Sequence, residues 1–325
     1  MAAQLPSTYD DPVQIAIIGG TGLGSLPSPP FKPVATLPPP STPWGLPSSP
    51  ISILSYTPPT ASSNNPVAIA FLARHGLHHQ LAPHEIPNQA NIAALRKLGV
   101  RCVVAFSAVG SLKEEVKPRD FVVVDQIIDW TRGVRPWTFF EGGLVGHVGF
   151  ADPFDTKLSN VIAGAIGKPG VLEGDNAVAH PMGTVVCIEG PQFSTRAESI
   201  FYRNGLNASV INMSAVPESK LAREAEMAYS MVCMSTDYDS WHETNETVSV
   251  EMVMGHMTAN SINARRSVEA IVVELGKSEN AAIVQAEQWK GMIKGAGGIT
   301  KVEGRSPEAL KKLRWLFPGY FEEEK

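Results

Sequence analysis

An α/β fold with a mainly parallel sheet flanked by helices is predicted by two features of the 325-residue sequence. Short runs rich in β-branched residues alternate with longer helical patterns, and several of those runs are apolar throughout, as strands buried on both faces must be. The 43% apolar content supplies a core large enough for one sizeable α/β domain or two modest ones. We read one domain over 1–325, with a Pro-rich surface excursion at about 27–66 and a C-terminal extension after about 295.

In chain order, strands are read at 13–18 (VQIAII), 67–73 (VAIAFLA), 101–107 (RCVVAFS), 120–128 (DFVVVDQII), 183–190 (GTVVCIEG), 208–214 (ASVINMS) and 228–236 (AYSMVCMST). Helical patterns fill 88–98, 156–166, 195–204 and 217–227, and a longer helical region begins near 248. Thr195 and Glu198 have capping-box spacing, and Pro217 before Glu218 suits a first helical turn, where the amide that proline lacks would be unpaired anyway. The stretch from Pro27 to Pro66 breaks the alternation. Its prolines surround one strand candidate, Ile51 to Tyr56, and read as extended, partly mobile surface chain. Beyond Gly295 the sequence reads as a loop, a short helix and an acidic end.

Twenty-seven Lys and Arg against 32 Asp and Glu, with no basic run, argue against nucleic acid or an anionic membrane surface as partner. No apolar stretch approaches the length of a membrane span, and the first residues lack a basic start and an apolar secretory segment. Cys102, Cys187 and Cys233 are odd in number and sit in apolar runs, which suits buried, reduced thiols. The chain reads as cytosolic, and nothing in it separates cytosol from nucleus.

Four strand ends carry groups suited to an anion. Thr21 lies in IAIIGGTGLGS, Arg74 and His75 in ARHG, Ser107 and Ala108 in FSAVGS, and Ser214 in INMSAVPE. Amides, hydroxyls and a guanidinium fork at the carboxyl ends of strands gather in the crevice where open α/β sheets bind ligands. A dinucleotide reading of the glycines fails on three counts: the spacing is GxGxG, prolines stand where a helix should open, and no acidic residue follows at the required distance. A tight turn alone explains those glycines about equally well. His75, His78, His79 and His84 fall together, but Gly76 and Pro83 argue against a helical metal motif, so a loop outweighs zinc. The segment STDYDSWHE places Asp237 and Asp239 one residue apart after an apolar run, which by itself reads as a solvated loop.

Taken together, GGTG, ARHG, QANIAAL, GSL, DQIID, EGPQFSTRAES, VINMSAVPE and TDYDSW resemble the purine nucleoside phosphorylase family, in its branch acting on methylthioadenosine, from about Val13 to Arg265. The resemblance implies a single-domain fold with a mixed, partly barrel-like sheet flanked by helices. It also implies a homotrimer with sites near subunit interfaces. It assigns phosphate to Thr21, Arg74, His75, Ser107, Ala108 and Ser214, the ribose to Met213, and the base to Phe193, Ser194, Asp237 and Asp239. His147, Val250, Val253 and Met254 match positions around the 5′ substituent. Ser107 and Ser214 stand where relatives commonly carry threonine, which keeps the hydroxyl.

The implied reaction is phosphate-dependent cleavage of S-methyl-5′-thioadenosine to adenine and S-methyl-5-thio-α-D-ribose 1-phosphate, in methionine and purine salvage. Asp237 and Asp239 are the catalytic candidates. A carboxylic acid can protonate N7 of the leaving purine, and a carboxylate accepts from an exocyclic amino group, which favours 6-aminopurines. The stripe of Val250, Val253, Met254 and Met257 reads by default as helix core, yet an apolar wall also suits a methylthio group. No metal or organic cofactor is expected, with inorganic phosphate as co-substrate. The alternatives are a 6-oxopurine nucleoside phosphorylase, a zinc hydrolase using His75, His78 and His79, and a non-catalytic nucleotide-binding protein.

Overall fold

The computed structural model describes residues 5–26, 29–57, 66–174, 177–242, 250–296 and 300–321. Among the described residues there are eleven strands: β1 (Ile15–Gly19), β2 (Lys32–Leu37), β3 (Ile51–Tyr56), β4 (Val67–Ala73), β5 (Cys102–Ser111), β6 (Phe121–Val123), β7 (Gln126–Trp130), β8 (Ala179–His180), β9 (Thr184–Ile188), β10 (Val210–Asn212) and β11 (Ala228–Tyr238). The helices are α1 (Asn88–Leu98), α2 (Thr156–Ile166), α3 (Arg196–Asn204), α4 (Ala215–Glu224), α5 (Val250–Leu275), α6 (Ala281–Val284), α7 (Met292–Ala296) and α8 (Pro307–Leu316).

The sheet is mixed. Its main path runs β2-β3-β4-β1-β5-β10-β9-β7, and β11 branches from β5 to β6 and β8. The branch exists because β5 is ten residues long. Its first half pairs with β1 in parallel, its far end with β10 in antiparallel, and its other edge with β11 along nearly its whole length. A strand with neighbours on both edges and side chains packed on both faces must be apolar throughout, which is why β5 reads as a continuous run.

Helix ends follow local chemistry. Asp155 caps α2 by accepting from the Leu158 amide, and Thr195 and Glu198 form the capping box that their spacing predicts. Gly99 ends α1 at φ 107°, a left-handed conformation that costs glycine nothing. In α4, Val216 is non-helical, so regular helix begins at Pro217. Among the described residues two large cores lie on the two faces of the sheet, and a smaller cluster of Val186, Ile188, Tyr202 and Ile211 packs beside β9 and β10. Ala93, Leu95, Val103, Met231 and Leu221 belong to the first, and Ile17, Val104, Val232, Leu158 and Val268 to the second.

Two expectations change. The run read as one strand at 120–128 is β6 and β7, separated at Val124–Asp125, with Val124 feeding β11 and Asp125 meeting Gly183. The Pro-rich stretch contributes β2 as well as β3, extending the sheet from β4 and burying Phe31, Ala35, Ile53 and Tyr56. β2 escapes a pattern search because Pro33 interrupts it, and it is tolerated there because β2 ends the sheet and its register shifts beside Pro33. Residues 58–65 of that stretch lie outside the described residues. In the tail, Leu313, Leu316 and Phe317 are buried, and Arg96 and Lys97 of α1 lie over the rings of Phe317 and Trp315.

Candidate active site

The carboxyl ends of β1, β4, β5, β10 and β11 open into one cavity of about 820 Å³. Its volume lies within the range of small-molecule sites. Thr21, Arg74, His75, Ser107, Ala108 and Ser214, the six residues with the phosphate assignment, all line it. So do Met213, Phe193, Ser194, Asp237 and Asp239.

Strand register builds the hydroxyl pair. In the antiparallel β5–β10 ladder Val210 faces Ser111 and Ile211 faces Gly110. Carried three residues further, the same register sets Ser214 opposite Ser107. Their hydroxyls lie 3.0 Å apart, and Asn212 Nδ2 donates to Ser107 Oγ at 3.3 Å. Both serines are buried.

Arg74 is fully buried and its charge is compensated. Nε and Nη2 donate to the two carboxylate oxygens of Glu218 at 2.7 and 2.8 Å, and Nη1 donates to the Phe106 carbonyl at 2.7 Å. Glu218 also accepts from the Tyr229 hydroxyl at 2.8 Å. The guanidinium has five N–H donors, and three are used here, so two remain to address an anion from a fixed fork. Burial works against the Arg74 charge and Glu218 restores it, leaving the pKa raised. Glycine is required at 20 for this approach, since a Cβ there would stand 2.4 Å from Arg74 Nη1 and 2.6 Å from the Phe106 carbonyl oxygen.

His75 is held neutral. Burial and then the neighbouring Arg74 push its pKa down to about 4. With Nδ1 2.9 Å from the Leu81 carbonyl, the proton sits on Nδ1 and Nε2 is left as an acceptor. Its ring stacks on His79 at 4.4 Å. Among the described residues no three His, Cys, Asp or Glu side chains are grouped as metal ligands.

At the other end, the β11–β5 register shifts between Ser235 and Asp237, a bulge that inserts Thr236 and resets the alternation of the strand. Thr236, Asp237 and Asp239 consequently all face the cavity. Asp237 and Asp239 are each 4% exposed, so the solvated-loop reading of this segment is wrong: the pair ends a buried strand. Burial drives the Asp237 carboxyl up to about 7. The Thr236 hydroxyl, donating at 3.0 Å, opposes this and the Asp239 charge adds to it. Burial also raises Asp239, but Ser199, the Ser240 amide and Ser194 offset part of that. Burial therefore raises both carboxyls, and the Asp239 charge beside Asp237 favours a proton held on Asp237. Gly110 leaves room for both, because a Cβ there would meet Asp237 Oδ1 at 3.1 Å and Asp239 Cβ at 3.2 Å.

Four positions stand apart. His147 is exposed in the loop before α2 and does not line the cavity of its own chain. Val250, Val253 and Met254 fall in α5, but their side chains lie outside the described residues. Met257, one turn on, does line the cavity, packed near Gly22, whose φ of 90° and missing Cβ admit its sulfur. Sequence reasoning did not single out Glu218, Thr236 or Gly110, whose roles depend on pairings across the fold.

Residues 14–273 match the phosphorylase superfamily, and the chain belongs to that family. It is 60% identical to the S-methyl-5′-thioadenosine phosphorylase of Phaeosphaeria nodorum over 98% of this chain and 91% of that one. It is 59% identical to the enzyme of the same name from Emericella nidulans over 98% and 87%. Among solved structures, a methylthioadenosine phosphorylase from an antarctic soil metagenomic library superposes with a TM-score of 0.80 at 38% identity, covering 95% of this chain and 100% of that one. The Schistosoma mansoni methylthioadenosine phosphorylase in complex with adenine gives 0.77 at 30% identity, covering 88% and 99%.

Proposed function

We propose that this chain cleaves S-methyl-5′-thioadenosine with inorganic phosphate, giving adenine and S-methyl-5-thio-α-D-ribose 1-phosphate, a step that returns both halves to purine and methionine salvage. The observation that carries this reading is one cavity with a cationic, hydroxyl-lined end and a buried, proton-holding carboxyl pair. The names of relatives at about 60% identity support it.

Phosphate held by the two spare Arg74 donors, Thr21, Ser107 and Ser214 is placed as nucleophile beneath C1′, with Met213 against the ribose. Its charge stabilises the sugar as that becomes cation-like. The phosphate oxygen bonds to C1′ as the C1′–N9 bond breaks, the electron pair leaves with the purine, and Asp237 passes its proton to N7. Ionised Asp239 keeps that proton on Asp237, and Phe193 and Ser194 frame the base. No metal or organic cofactor takes part, so dialysis against a chelator leaves turnover unchanged.

The assembly we propose is a homotrimer. Trp130, Trp137, Phe193 and Phe201 are each more than 40% exposed around the sheet-ending strand β7, an apolar surface that a partner copy would cover. His147 would then reach a neighbouring copy's cavity. Light scattering should give about 105 kDa, three times 34.9 kDa, and a monomer mass would reject the assembly. The compartment we propose is the cytosol, with nuclear entry open to the same chain; cell fractionation tests both.

The test of substrate is a panel of methylthioadenosine, adenosine and inosine at saturating phosphate. Methylthioadenosine should give the highest kcat/KM and inosine the lowest. Preferred cleavage of inosine would instead establish a 6-oxopurine phosphorylase.

A further inference from the structure

We infer that Arg135, which does not line the cavity, is a positioning residue that locks the phosphate-binding and base-binding segments into one rigid unit; this rests on the phosphorolytic reading of the site. Arg135 lies in the loop after β7 and is 5% exposed. Nε donates to Glu189 Oε1. Nη1 donates to the Met213 and Val216 carbonyls, both at 2.7 Å, and Nη2 to the Glu189 and Ile188 carbonyls at 2.6 and 3.3 Å. All five donors of the guanidinium are thus spent on protein acceptors, in contrast to Arg74, and none is left for substrate.

The acceptors identify what is being held. Met213 and Val216 bracket Ser214, whose hydroxyl pairs with Ser107 at the anion end. Ile188 ends β9, and Glu189 leads on through Gly190 and Pro191 to Phe193 and Ser194 at the base end. The two segments also meet at Gly190, where φ is 69° and a Cβ would stand 2.3 Å from Met213 Sδ. Glu189 closes the clamp, since its Oε2 accepts from the Arg132 amide at 2.8 Å. One planar fork therefore fixes the spacing between phosphate and purine binding sites, the distance that phosphorolysis depends on. Lysine offers three donors on one atom and cannot span these acceptors.

Arg135→Lys, compared with wild type by steady-state kinetics and by calorimetric titration of adenine and of inorganic phosphate, tests this. The expected result is a fall in kcat/KM of about 100-fold, the cost of roughly 1 Å misplacement, with the KM values of both substrates raised while the far-ultraviolet dichroism stays native. Wild-type kcat with both KM values unchanged would overturn the assignment. If Arg135→Lys does not fold, Glu189→Ala decides: removal of the carboxylate should raise the nucleoside KM more than the phosphate KM, and unchanged constants would overturn it. Absence of turnover by the wild-type protein would refute the phosphorolytic reading rather than the clamp. The adenine and phosphate dissociation constants of the same variants then decide, weakened binding of both supporting the clamp and unchanged binding overturning it.

Discussion

Replacing Asp237 by Asn should make the protein slower and more stable at once. The carboxyl is 4% exposed, and burial lifts its pKa from the ordinary 3.8 to about 7. Each factor of ten corresponds to about 1.36 kcal/mol, so ionised Asp237 costs the folded state about 4 kcal/mol. The folded pKa is the higher one. The carboxyl's contribution to stability is therefore intact below about pH 4, declines as pH rises, and is fully lost above about pH 7. Asparagine keeps the shape and the acceptor for Thr236 but does not ionise. Asp237→Asn should thus match wild type near pH 4, exceed it by about 2 kcal/mol at pH 5 and by about 4 kcal/mol at pH 8, a widening of roughly 3 °C in Tm between the last two. In the same variant kcat for methylthioadenosine should fall by about 10²- to 10⁴-fold, the usual contribution of a general acid. Calorimetric Tm at pH 5 and 8, paired with initial rates, checks both. A stability difference that does not grow with pH would refute the buried-acid argument, and near-wild-type kcat would refute the proton-donor role.

Wild-type kcat/KM should decline above about pH 7 as Asp237 loses its proton, and Asp237→Asn should lack that limb; a wild-type rate that rises through pH 8 contradicts it. Ser214→Ala, removing one hydroxyl from the anion end, should raise the phosphate KM by about tenfold or more while the nucleoside KM changes little, as hydrogen bonds to charged groups are worth about 1.5–3 kcal/mol. Glu218→Ala would leave Arg74 buried and unpaired and should cost about 3–5 kcal/mol in urea denaturation, against which an unchanged midpoint would count. Gly20→Ala should break the Arg74–Phe106 bond and raise the phosphate KM, with the adenine dissociation constant unaffected as the control.

What the sequence made legible follows from which forces are local. The strands at 51–56 and 67–73 and the helices at 88–98 and 156–166 coincide with their patterns, because apolar runs, caps and a C-terminal glycine act within a few residues. Nine of the eleven cavity-lining site residues converge because they lie at the carboxyl end of a strand or in the segment beyond it, whereas Ser107 and Ala108, read as a strand end, sit within β5, which runs on to Ser111. The Arg74–Glu218 pair spans 144 positions and leaves no local trace. Neither does the bulge at Thr236, without which the period-two pattern would point Asp237 and Asp239 differently. Their acidity was illegible for a further reason: a carboxyl's pKa is set by burial, and STDYDSWHE looks polar although it ends an eleven-residue buried strand. β2 was hidden by its proline, and His147 is not brought to the cavity of its own chain.

The proposed mechanism makes phosphate, bound at the Arg74–Ser107–Ser214 end, the nucleophile. Phosphorus NMR of the purified protein with methylthioadenosine, run with and without inorganic phosphate, tests it most directly. One new sugar 1-phosphate resonance is expected, growing in step with released adenine and absent when phosphate is omitted. Adenine released at an equal rate without phosphate, with free methylthioribose as the other product, would contradict it.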